Sequence, residues 1–129
     1  MKRIWVKCGL FLLLAGAGNA WAQQPEAEAK VYLQSSRLAG FKYYEGRKLW
    51  PQLKTGDELK LVREADNPHD GNAIGVEWQG HKLGHVPRTD NAALARFMDH
   101  GQHLEARITA LPKEKRRGRW IEFEVYMAH

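Results

Sequence analysis

Between two runs of β-forming residues lies Arg63-Glu64-Ala65-Asp66-Asn67-Pro68-His69-Asp70-Gly71-Asn72-Ala73-Ile74, whose centre is dense in polar and turn-forming residues. Asn67-Pro68 and Asp70-Gly71 are both strong turn pairs, whereas a plain hairpin needs only one. The surplus of Asp66, His69, Asp70 and Asn72 concentrates carboxylates, an imidazole and an amide at one strand end, where a polar ligand is readily held. Side chains of this kind also cap backbone amides in an elaborate turn. By residue type alone Asp66, Asn67 and Asn72 read as such caps.

Other chemistry is sparse. The one cysteine, Cys8, lies near the start of the chain, inside the apolar segment described below. A domain beginning after that segment has no thiol for a disulfide, a thiolate metal site or a nucleophile. His81 and His85 are four residues apart in strand context, roughly 13 Å at the rise of a strand, too far for one ion. The loop lacks the glycine and terminal glutamate spacing of an EF-hand. No metal or cofactor is expected. The basic residues are local: Lys113, Lys115, Arg116, Arg117 and Arg119 in one cluster, with Lys42, Arg63 and Arg88 elsewhere. Such a cluster either tracks an anionic backbone or forms a solvated hairpin tip.

Residues 1–22 read as a secretory signal: Lys2, Arg3 and Lys7 precede an apolar run, and Ala20-Trp21-Ala22 supplies the small-x-small cleavage pattern. The expected location is therefore periplasmic or secreted, with no stable membrane insertion once the signal is cut. Its removal takes three of the 20 basic residues and none of the 15 acidic ones, leaving a net charge of +2 in place of +5. Any anion must then be drawn by a local cluster rather than by the whole surface. Residues 23–30 read as a flexible leader, and 31–129 as a single domain.

The elements that must position these groups are mostly strands. Period-two alternation marks residues 58–63 and 119–126. Short apolar runs at 73–78 and 81–86 flank Gln79-Gly80, which is hairpin spacing, and 31–36 and 103–111 complete a set of six. One helix is expected over 90–100, with Thr89 as N-cap, Gly101 as its stop, and Leu94, Phe97 and Met98 on its core-facing side. The pattern predicts a mainly β fold, a small barrel or strongly curved sheet closed by one helix between strands.

At this point the residues resemble a known family. Asp-Asn-Pro-His-Asp-Gly-Asn-Ala-Ile, Gly-His-Lys-Leu-Gly-His-Val-Pro-Arg and the helical Asn-Ala-Ala-Leu-Ala, within 61–95, together with Gly-Phe-Lys-Tyr-Tyr-Glu-Gly at 40–46, are similar to the HIRAN domain. The resemblance implies a modified OB-like β-barrel, found alone in bacteria and fused to helicase-like translocases in eukaryotes, where it grips the 3′ end of single-stranded DNA. It implies that Lys42 supplies a cation and Tyr43 a stacking ring, that His69 stacks a second base, and that Asp70 accepts the terminal 3′-hydroxyl. His85 and Arg88 fall where phosphates are contacted, and Trp120 near a further aromatic. Tyr44 reads as packing, and the resemblance leaves Asp66, Asn67, Pro68 and Asn72 as the residues that shape the loop. His69 departs from the pattern by replacing a bulkier aromatic, which weakens the grip.

These roles agree with how single strands are held, by aromatic platforms under bases and cations along phosphates. A carboxylate among them selects strand ends, because a terminal hydroxyl donates and an internal phosphodiester does not. The sequence thus reads as a nucleic-acid-binding module rather than an enzyme. The alternative is an exported protein-interaction or envelope module with a repurposed barrel. A metal-assisted phosphodiesterase using Asp66, His69 and Asp70 ranks third.

Overall fold

The computed structural model describes residues 29–112 and 119–128. The signal-like segment and most of the basic cluster, Lys113, Lys115, Arg116 and Arg117, lie outside the described residues. Six strands form one antiparallel sheet: β1 (Lys30–Arg37), β2 (Glu58–Arg63), β3 (Ile74–Trp78), β4 (His81–His85), β5 (His103–Ala110) and β6 (Glu122–Ala128). Their order across the sheet is β1-β6-β5-β2-β3-β4. Alternation puts Leu59, Leu61, Leu104, Ala106, Ile108, Phe123 and Val125 on one face, where they meet Ile74, Val76 and Leu83 in a single core.

The sheet curls but does not close into a barrel. Where β1 runs on past Arg37, one isolated bridge joins Ala39 to His85 of β4. Its two main-chain bonds, Ala39 N–H to His85 O and the reciprocal one, are both 2.9 Å. The approach depends on Gly84, since a Cβ there would run into the Ala39 carbonyl oxygen. Register shifts between Tyr32 and Gln34, between Val76 and Glu77, and between Ile108 and Ala110 mark where single residues bulge out of the ladders and bend them.

The Gln79-Gly80 turn is left-handed at both residues, φ 47° and 83°, which suits the twist of the β3–β4 hairpin. The helix is shorter than expected, α2 (Ala92–Asp99), and a 3₁₀ turn (Arg88–Asp90) precedes it. Thr89 does not cap it: its hydroxyl donates to the Asp90 carboxylate at 3.1 Å, and Asn91 occupies the N-cap position without a side-chain cap bond. Asp90 instead accepts from Ser36 at 3.1 Å and, through its carbonyl, from Gln34 at 3.0 Å, so this turn is tied to β1. Leu94 is buried against the core, and Phe97 and Met98 are half-buried against it. Residues 41–52 fold as a 3₁₀ turn, the short helix α1 (Gly46–Leu49) and a second 3₁₀ turn, elements without hydrophobic period. The last strand starts and ends later than the alternation suggests.

Candidate functional site

The segment after β1 turns at Gly40, whose φ of 76° favours glycine. Phe41 then inserts into the core, and its ring lies where any side chain on Gly46 would have to go. Wrapping the chain around Phe41 turns the next residues outward. Tyr43 is 73% exposed, the most exposed large hydrophobic side chain among the described residues. The Lys42 ammonium sits 5.1 Å from the centre of its ring. Tyr44 leans back, its ring edge-on to the His85 imidazole at 5.7 Å, with Lys82 Nζ over its other contact surface at 5.1 Å.

His85 connects this turn to the polar loop. Its Nε2 lies 3.0 Å from Glu64 Oε1, so this nitrogen carries the hydrogen, since the carboxylate only accepts. Glu64 also accepts from Lys82 Nζ at 2.7 Å and Asn67 Nδ2 at 3.1 Å. Burial by itself would raise the Glu64 carboxyl, but the bonds from Lys82, His85 and Asn67 outweigh it and hold it at about 2, against 4.5 ordinarily. The carboxylate lies across Gly75 of β3, where a Cβ would come within 2.6 Å of Oε2.

Two short internal bonds shape the loop. Asn67 Oδ1 accepts the His69 N–H at 2.8 Å, and Asp70 Oδ1 accepts the Asn72 N–H at 3.0 Å, each side chain bonding the backbone two residues on. The Asp66 and Asn72 side chains make no such bond among the described residues; both are exposed. Beneath the loop the Arg63 guanidinium donates to Gly71 O at 2.7 Å, Ala73 O at 3.1 Å and Asp99 Oδ1 at 2.9 Å.

Asp70 is fixed at both oxygens. Besides the Asn72 amide it accepts Asn91 Nδ2 at 2.8 Å, and Asn91 is 1% exposed. The Asn72 N–H first, then Asn91, then the charges of Arg88 and Arg63 hold its carboxyl below the ordinary range against a small opposing effect of burial. Asp70 is thus an ionised, oriented acceptor at the surface, beside the cation Arg88. A hydroxyl donor reaching its free lone pairs meets a pre-set partner. His69 is exposed, and its main-chain N–H is held by Asn67 Oδ1.

Lys42 and Tyr43 therefore lie on the turn that packs on His85, His85 is linked through Glu64 to the loop of His69 and Asp70, and Arg88 flanks Asp70. Trp120 precedes β6, and the Arg37 guanidinium stacks over it at 4.2 Å. Arg119, the one member of the basic cluster described, lies over Trp50 at 5.6 Å. The sequence reading missed Glu64, Lys82 and Asn91, the groups that hold the others. A trace existed in Gly75, because a glycine inside a strand marks a close approach from above. Among the described residues no three of His, Cys, Asp and Glu are grouped to hold a metal.

Known proteins share this architecture. A protein of Lactobacillus plantarum solved by structural genomics superposes with a TM-score of 0.71 at 30% identity, over 80% of this chain and 99% of that one. The HIRAN domain of human HLTF superposes with a TM-score of 0.60 at 23% identity, over 77% and 78% of the two chains, a likeness of fold. The mouse helicase-like transcription factor is 36% identical over 64 residues, 49% of this chain but only 6% of that much longer protein. The family model of the HIRAN domain matches residues 31–127, and the chain accordingly belongs to the HIRAN domain family.

Proposed function

We propose that this domain binds nucleic acid and grips the 3′ end of a single strand outside the cytoplasm, as a binding module rather than a catalyst. The observation that carries the reading is Tyr43, a 73% exposed ring with a lysine ammonium beside it, on the turn that packs on His85, which Glu64 ties to the base of the polar loop. A base stacks on the Tyr43 face, Lys42 and Arg88 neutralise neighbouring phosphates, and Asp70 receives the terminal hydroxyl. His69 offers a smaller second platform. His85 is already bonded to Glu64, so it supports the turn from below while its exposed edge meets a phosphate.

The test compares wild type and Asp70→Ala on labelled oligonucleotides with free and blocked 3′ ends across a salt series. The wild type favours free ends; the variant keeps weak, salt-sensitive binding and loses the preference. Equal affinity of the wild type for both ends, or none for either, refutes the reading. Export rests on residues 1–22, and the mass of the protein recovered from the cell envelope checks it: a chain beginning at residue 23 supports export, and an intact chain in the cytosolic fraction refutes it.

A further inference from the structure

A second concavity opens between β2 and β5. These neighbours pair at only two positions, Glu58 with Arg107 and Leu59 with Ala106. Beyond Leu59, β2 continues with β3 alone, while β5 follows β6 down to His103. The splayed strands and the end of α2 enclose a cleft of about 740 Å³, within the size range of ligand sites, roughly 300–1,000 Å³.

Main-chain groups point into it. Glu64 N–H bonds Ala73 O on the β3 side, so alternation turns the amides and carbonyls of Leu61 and Arg63 toward β5. Ile108 N–H bonds Asp57 O on the β2 side, so Ala106 and Leu104 face β2. Ala106 meets Leu59, but Leu61 and Leu104 have no ladder partner across the gap. The cleft therefore offers two unclosed strand edges facing one another, a feature that recruits extended chain.

Its side chains have a matching polarity. The floor is apolar: Leu59, Leu61, Leu104, Ala106 and, from α2, Met98. The outer rim carries Lys60 and Arg107, both exposed and without an ion pair among the described residues. Of the two acids there, Glu105 is held by Lys30 at 2.8 Å, and Glu58 lies at the paired end opposite Arg107. A strand lying between β2 and β5 would place alternate side chains over the leucines and the others between Lys60 and Arg107.

We propose that this cleft takes an extended protein segment alternating apolar and acidic residues, added as a short strand to β2 and β5. The main-chain bonds give affinity, the floor takes the apolar side chains, and the rim selects acidic ones. Nucleic acid fits neither the apolar floor nor the paired Glu105. An acyl chain fits the floor but leaves the main-chain groups unanswered.

NMR titration of isotope-labelled protein tests this with three blocked hexapeptides: alternating glutamate and leucine, alternating lysine and leucine, and three glutamates followed by three leucines. Decanoate serves as the acyl probe. The alternating acidic peptide is expected to move the amide signals of Leu61 and Leu104 and to bind at least about tenfold tighter than the other two. Joint Lys60→Glu and Arg107→Glu replacement reverses the preference to the lysine peptide, a gain that a misfolded variant would not show. Equal binding of all three peptides, no movement at Leu61 and Leu104, an unreversed preference, or decanoate moving those amides where the acidic peptide does not would each overturn the proposal.

Discussion

Replacing Glu64 by glutamine removes the charge at the centre of the network while keeping the side chain's size. Folding stability gains from this carboxyl because its pKa falls from 4.5 in the unfolded chain to about 2 in the fold. At 1.36 kcal/mol per pKa unit the gain is at most ~3 kcal/mol. The Lys82 and Glu64 side chains are 32% and 23% exposed, so water screens part of it, leaving about 1–2 kcal/mol at neutral pH. The sign is fixed by the direction: a depressed carboxyl contributes fully above its unfolded pKa of 4.5 and loses its contribution as the pH falls through about 2. Urea denaturation of wild type and Glu64→Gln at a series of pH values reads this directly. The two stabilities should differ by about 1–2 kcal/mol at pH 6–7 and converge as the pH falls from 4.5 toward 2. Asp70, Asp99 and Glu105 are also depressed, so the difference between the two curves, not the slope of either, is the measure. Equal stability at neutral pH, or a gap that persists unchanged in acid, would refute the account.

Three further perturbations probe neighbouring parts. Tyr43→Ala should weaken oligonucleotide binding by ~1–3 kcal/mol while leaving the urea midpoint unchanged; an unchanged affinity by fluorescence anisotropy would remove the ring from the interface. Gly84→Ala should cost ~1–3 kcal/mol of stability by urea titration, because the added methyl meets the Ala39 carbonyl; a neutral result would mean the seam gives way freely. Asn91→Ala should blunt the preference for free 3′ ends by releasing Asp70 Oδ2, with folding retained by circular dichroism; an undiminished preference would show that Asp70 needs no such orientation.

The strands were the most legible part of the sequence. Residues 58–63 alternate because Leu59 and Leu61 join the buried core and the residues between them meet water, and β2 has those bounds. Alternation at 119–126 overran the start of β6, since Arg119 and Trp120 keep the pattern while their side chains stack on Trp50 and Arg37 outside the ladder. The helix start was misplaced because Thr89 looks like a cap by type, whereas its hydroxyl turns to Asp90. Segment 41–52 is held by one buried ring and by contacts with β4, which leave no period in the chain. The open seam was illegible for a similar reason: closure depends on how far apart β1 and β4 lie after five successive ladders. In the loop, residue types pointed to the right region, but Asn67 and Asp70, not Asp66 or Asn72, carry the backbone bonds. Glu64 passed unnoticed because its partners are remote in sequence, at Lys82 and His85.

The Ala39–His85 bridge stands between the two halves of the proposed site. Tyr43 follows one side of this two-bond clasp, and the other side, through His85 and Glu64, anchors the loop of Asp70. A ligand spanning Tyr43 and Asp70 would do work on the clasp, and a shut clasp would lower the entropy such a ligand must lose. By reciprocity, whatever factor closure adds to affinity, occupancy adds to closure.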